Sequence, residues 1–454
     1  MYARIFLLLC VAGWPLAHAG KPSCAWVFSG GGLKSDKTRG VAFDSMGNVF
    51  LASETTGDST VGEAPYKSAG GMDCLLTKLD STGAWQWTRS IGGSATDRAY
   101  AVACDAKGNA YVTGHYESPD AVADGISLPH AGSYDFFVAK YAPDGKLLWI
   151  RTGGGPGYDY GHAIAVDSEE NVVVSGSFAP GAKLGEVTVV PEGAPSSVFC
   201  LKYDAGGKLL WSRTATGKLG GSGHGIAVDA QNQIYIGGSL SGAGELFGLS
   251  VALKSSSAFV VKLDPAGRGV WHHVSAGISS AVYHEITCDA SGRVWAVGMF
   301  KGAMTVGEEV LRSSGDKDSD GVIVHIDRSG NTVWSRHLSG PGTDYCLGVA
   351  VDGAGNSFIS GDFHVETTLA GVKLTSRGAG DAFLAGFDLE GKLLWMEQAG
   401  GVATDTAYPI AFRAPNELIV GGSTAAPAQF GDWEIKATSG VDFFGAKWLL
   451  KGAR

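Results

Sequence analysis

Along the chain, short apolar runs alternate with turns bearing Asp and Gly, and one phrase of apolar and polar positions keeps returning. It reads GVAFDSMGNVFLAS from Gly40, AVACDAKGNAYVTG from Ala101, AIAVDSEENVVVSG from Ala163 and GIAVDAQNQIYIGG from Gly225. It continues as EITCDASGRVWAVG from Glu285, GVAVDGAGNSFISG from Gly348 and PIAFRAPNELIVGG from Pro409. Two stretches rich in Val, Ile, Phe and Tyr flank a D-x-x-G-N turn, which predicts a β-hairpin. The Asp can accept a bond from backbone two residues on, and the Gly tolerates a positive φ. A second phrase follows each first one, as in FFVAKYAPDGKLLW ending at Trp149, FCLKYDAGGKLLW at Trp211 and VIVHIDRSGNTVW at Trp334. It predicts a second hairpin.

The repeat is regular. Its aspartate stands at Asp44, Asp105, Asp167, Asp229, Asp289 and Asp352, with Arg413 in the seventh slot, at spacings of 61, 62, 62, 60, 63 and 61. Trp26, Trp87, Trp149, Trp211, Trp271, Trp334 and Trp395 each lie 18 residues before the next of these positions. Two hairpins per repeat make a four-stranded antiparallel sheet, and seven sheets at a fixed period predict an all-β, single seven-bladed β-propeller. A solenoid fits less well, because the ends complement each other. The last copy stops after VDFFGAKWLL without a tryptophan strand, and the first begins with that strand, Ala25-Trp26-Val27-Phe28. The last blade is therefore expected to be closed by both termini, leaving no open sheet edge.

The phrases A-x-D-x-x-G-N-x-Y-V-x-G and D-x-F-V-x-K-Y-D-x-x-G-x-L-x-W resemble the bacterial SBBP β-propeller repeat, over essentially all of residues 20–454. The resemblance implies an exported propeller and carries over no catalytic signature. The period is longer than that of WD40 repeats, and their Gly-His and Trp-Asp pairs are missing. Asp-box propellers need shorter Asp–Gly and Gly–Trp spacings.

Composition adds the compartment. Residues 1–19 have a short basic start, an apolar run from Ile5 to Leu16 and the small-residue site Ala17-His18-Ala19, the pattern of a cleaved signal peptide. The remaining 435 residues form one expected domain, secreted or periplasmic, with no run long enough to span a bilayer. A net charge of −10 argues against nucleic acid and anionic membranes as partners. The 69 glycines, far above the usual share, fit a turn-rich fold. Cys24, Cys74, Cys104, Cys200, Cys288 and Cys346 occupy slots that are apolar or small in sister repeats. They read as buried thiols and not as a disulfide framework.

With strands named A to D from inside out, the D–A and B–C links share one face. The D–A link is short and glycine-rich, as in residues 92–100; the B–C link is long and variable, as in residues 178–197. Variable loops on a rigid scaffold are common binding surfaces. Repetition assigns other residues to architecture: Lys78, Lys140, Lys202, Lys262 and Lys447 share one slot, and Asp36, Asp97, Asp159, Asp344 and Asp405 another. Asp316, Asp318 and Asp320, with Asp327, follow the spacing of a calcium loop. Asp320 and Asp327 are nevertheless repeat positions, and Val324 offers no ligand, so a polar loop tip is the preferred reading and no cofactor is expected.

The sharper candidate is the residue just before each A-strand phrase: Arg39, Tyr100, His162, His224, His284, Leu347 and Tyr408. These should ring the mouth of a central channel on the loop face. Glu285 stands where other repeats have Gly, Ala or Pro, and strand alternation predicts that it faces away from His284. The bland alternative is a ring that bonds loop backbone and channel water. The function expected is an exported, monomeric, non-enzymatic binding or scaffold propeller taking a protein or glycan ligand at this face. The alternative is a propeller enzyme, quinoprotein-like or glycan-cleaving.

Overall fold

The structure, a computed structural model, describes residues 20–184, 187–189, 196–315, 318–425, 427–436 and 440–451. Residues 1–19, expected from the sequence to be a signal peptide, and Asp316 lie outside them.

The repeated phrases form antiparallel hairpins in the expected register. In the first phrase Asp167 Oδ1 accepts from the backbone N–H of Glu169 at 2.9 Å and of Asn171 at 2.8 Å. The same pair of bonds recurs at Asp44, Asp105, Asp229, Asp289 and Asp352. The innermost strands are Lys37–Phe43, Asp97–Cys104, Tyr160–Val166, Gly220–Val228, Ser280–Cys288, Tyr345–Val351 and Asp405–Arg413. Each packs against the next, and Asp405–Arg413 packs against Lys37–Phe43, so these seven strands enclose a central channel. Strand Gly20–Gly32 pairs antiparallel with Asp442–Lys451, which pairs in turn with Glu417–Thr424. Both ends of the described chain thus build one sheet.

Four-stranded sheets throughout are not what forms. The described residues make nine sheets: five of six strands, two of four, and two small ones of two and three strands. The cause lies in the B–C links. The links expected to be loops fold instead into short hairpins that dock beside the outer strand of the preceding blade. Ala303–Val306 pairs with Gly269–Gly277, Glu366–Leu369 with Thr332–Ser339, and Ala428–Phe430 with Leu393–Gly401. Ser59–Val61 does the same for the N-terminal strand Gly20–Gly32. In the 178–197 link, Lys183–Leu184 pairs with Val187–Thr188, and Lys183 exchanges backbone bonds with Gly154 at 2.8 and 2.9 Å. The last two or three residues of these outer strands, which a four-stranded blade would leave to water, are thereby paired by the neighbour.

Aromatic side chains lock blade to blade. The Trp149 indole N–H donates to the Ala205 carbonyl of the next blade's C–D turn at 3.1 Å, and Arg151 Nε to Gly207 at 2.7 Å. Trp87 with Arg89 and Trp334 with Arg336 repeat both bonds. The shared lysines are architectural as well. Lys202 pairs with Asp167 at 2.8 Å, Lys447 with Glu417 at 2.6 Å, and Lys78 reaches the Pro143 carbonyl at 3.0 Å. Their sequence partners were invisible because they come from other strands or from the next repeat.

Candidate functional site

Each innermost strand carries a register shift at the same place. The shifts fall between Thr38 and Gly40, Ala99 and Ala101, Gly161 and Ala163, Gly223 and Gly225, Tyr283 and Glu285, Cys346 and Gly348, and Ala407 and Ile410. The skipped residue is the ring residue itself, accompanied by Pro409 in the last case. A β-bulge leaves its extra residue unpaired and re-aims the side chain. Arg39, Tyr100, His162, His224, His284, Leu347 and Tyr408 consequently converge on one cavity of about 450 Å³ at the channel mouth.

Glu285 lines the same cavity. In sister blades this slot is tightly confined by the next inner strand: a Cβ on Gly40 would come within 2.8 Å of Ala101 Cα, and one on Gly225 within 3.1 Å of Glu285 Cα. That contact explains the small residues there. The blade after Glu285 carries glycine, Gly348, in the slot.

Around the ring, neighbours touch. Arg39 lies 5.7 Å from the ring centres of both Tyr100 and Tyr408. Tyr100 and His162 are 4.8 Å apart, His162 and His224 4.8 Å, and His224 and His284 6.2 Å. Burial opposes the Arg39 charge, yet its two bonds to Glu54, at 2.8 and 2.9 Å, raise its pKa above the ordinary arginine value. Burial also lowers the imidazoles: His162 well below its usual value, with repulsion from His224 adding; His224 to about 4; and His284 to about 3. Burial pushes Glu285 up to about 8, against a bond from its neighbour's N–H (Ile286) to Oε1. At neutral pH the mouth therefore presents three neutral imidazoles and a protonated carboxyl. Nε2 of His284 is buried with no hydrogen-bond partner.

Sequence reasoning missed a second tier. Tyr158, Tyr160 and His162 are alternate residues entering the third inner strand, and their rings lie nearly parallel. Tyr160 and His162 stand 5.1 Å apart at 14°, Tyr158 and Tyr160 6.5 Å apart at 15°. Tyr134 meets Tyr158 at 4.9 Å and stacks on His115 at 4.4 Å. The signal was present: at the Tyr158 position the other repeats carry Ser35, Thr96, Gly220, Ser280, Thr343 and Thr404, none aromatic. Lys37 and Arg98 occupy the Tyr160 level in their own blades, Arg98 within 3.5 Å of Glu54.

Other candidates resolve into structure. Asp97 Oδ2 accepts from Gly93 N at 2.8 Å and Oδ1 from Glu117 N at 3.0 Å, so the loop aspartates pin the D–A link to the end of strand B. Asp320 is engaged by Ser314 and by His337 Nε2 at 2.7 Å. Among the described residues no three His, Cys, Asp or Glu side chains gather as a metal site, and the six cysteines are unpaired. No helix among them is long and apolar enough to cross a membrane.

No family model matches the chain. It is 27% identical over 352 residues to the regulatory protein FlaEY of Caulobacter vibrioides, across 70% of this chain and 35% of that one. It is 23% identical over 412 residues to an uncharacterized WD repeat-containing protein of Acanthamoeba polyphaga mimivirus, across 73% of this chain and 30% of that one. It spans about a third of the length of these curated relatives. Among solved structures, YCF48 bound to D1 peptide aligns at 11% identity and a TM-score of 0.42, over 97% of this chain and 99% of that one. Sqt1 from Chaetomium thermophilum aligns at 10% identity and a TM-score of 0.44, over 88% and 96%.

Proposed function

We propose that this β-propeller is an exported, non-enzymatic binding or scaffold module of the SBBP type, taking its ligand at the channel mouth on the D–A loop face. One observation carries the reading. The same bulge in every blade turns a variable inner-strand residue into a common cavity, whose volume lies in the range of small-molecule sites. An architectural ring would be expected to repeat one residue type, as the lysine and aspartate slots nearly do. This ring varies from blade to blade, and it sets an unpartnered His284 nitrogen beside the odd carboxyl Glu285. Among the cavity-lining residues Glu285 is the carboxyl, whereas glycoside cleavage normally works with a pair. That supports binding over turnover. The B–C links, occupied in bridging blades, are the weaker candidates for a binding surface.

The test is crystal soaking of residues 20–454 with a library of small polar fragments, alongside His224→Phe, which fills the cavity. Fragments should accumulate at the mouth of the native protein and not of the variant. Fragments scattered elsewhere, with the mouth empty, would place the function on another surface.

A further inference from the structure

The mouth and the tyrosine row beside it form one continuous surface, and its chemistry selects a ligand. Resting on the reading that the mouth is the binding site, we infer that the ligand is an uncharged oligosaccharide. Its terminal sugar sits among His162, His224, His284 and Glu285, and its following units lie along Tyr160 and Tyr158. Two features point this way. The inner groups are polar and mostly uncharged: burial holds the imidazoles neutral, and Arg39 is paired at 2.8 Å with Glu54, which also takes Arg98 at 3.5 Å. Such groups match hydroxyls, which donate and accept but carry no charge. Outward from them, His162, Tyr160 and Tyr158 stack in near-parallel steps of 5.1 and 6.5 Å, with Tyr158 at the exposed end of the row. Tyrosine presents apolar area with a polar tip at small entropic cost, which suits the C–H faces and hydroxyl edges of successive pyranoses. Tyr158 is 55% exposed, so its ring is open to a ligand in a way that core packing does not explain.

A peptide fits less well. Extended peptides gain most of their affinity by adding to an open sheet edge. Here the outer strands stand at the opposite side of each sheet from the channel, and their last two or three residues already pair with a hairpin from the next repeat.

The experiment is isothermal titration of the full chain with uncharged oligosaccharides, mono- to hexasaccharides of the cello, xylo, malto and chito series. The native protein is compared with Tyr158→Ala and Tyr158→Phe. At least one series should bind with affinity that rises with length. Tyr158→Ala should lose on the order of tenfold for the longer members, with the monosaccharide little changed, and Tyr158→Phe should retain native affinity. Absence of binding in every series, affinity independent of length, or an inert Tyr158→Ala would each overturn the inference. Should fragments collect at the mouth in soaked crystals while no oligosaccharide binds, the glycan assignment alone falls. Should both experiments fail, the mouth itself is not the site.

Discussion

The Trp149 indole lies against Gly207, in the C–D turn of the next blade, so closely that a Cβ on that glycine would stand 2.7 Å from Trp149 Cδ2. Gly207 also has φ +81°, where L-residues are strained. Two penalties therefore meet at one atom. Gly207→Ala should destabilise by about 2–4 kcal/mol, part from the backbone and part from the overlap. Gly248, at φ +91° with nothing within 4 Å of its would-be Cβ, supplies the control. Gly248→Ala should cost about 1 kcal/mol. Equal losses in thermal or denaturant unfolding would show that the inter-blade contact contributes nothing.

Closure of the ring rests on the strand Gly20–Gly32. Deleting residues 24–29 removes Trp26 and Phe28 from the core and uncovers the edge of Asp442–Lys451. The expected result is insolubility or a melting temperature lowered by many degrees. A deletion mutant that stays monomeric and equally stable by light scattering and calorimetry would refute closure.

The docked hairpins are load-carrying core elements. Met304 is fully buried against the outer strand of the preceding blade, beside Val306 and Leu311. Met304→Ala should cost about 2–4 kcal/mol, the range for a large-to-small core change. The Leu184 side chain covers Gly153 in the same manner, so shortening the 178–197 link is expected to lower stability too. A freely tolerated excision of residues 182–189, judged by unfolding midpoint, would return that link to the class of surface loops.

Glu285 makes stability depend on pH in a known direction. Its pKa rises on folding from 4.5 to about 8, so between those values the folded chain holds a proton that the unfolded chain has released. This group's contribution therefore falls as pH rises from about 4.5 to 8 and is level above. Glu285→Gln removes that slope. The variant should melt several degrees above the native protein near pH 8.5 and alongside it near pH 4.5. His224 and His284 act in the opposite sense, losing stability as pH falls from 6.5 toward their folded values of about 4 and 3. A melting difference that does not vary with pH would contradict the burial of Glu285 as an acid.

The periodic part of the molecule was legible in the sequence because it repeats. The Asp44 and Trp149 slots set hairpin register, and the ring residues Arg39 to Tyr408 were found by asking where one slot varies. The outer hairpins were not legible. Segments such as 303–312 and 366–375 differ in length and pattern from blade to blade, and their partners lie in the preceding repeat. Tyr158 carried a usable signal, an aromatic residue in a slot otherwise polar or small, but it lies just outside the A-strand phrase.

The hairpin links between neighbours also impose an order on biosynthesis. As the chain leaves the ribosome, no sheet has its outer edge covered until the following repeat has been made, so each unit waits on the next. The opening strand waits longest. Its edge receives Ser59–Val61 early, but its other partner, Asp442–Lys451, is the last described strand to be translated. Nascent chains must therefore keep Trp26 and Phe28 from wrong partners while all the intervening repeats are made, and a stop before Asp442–Lys451 leaves a ring that cannot shut.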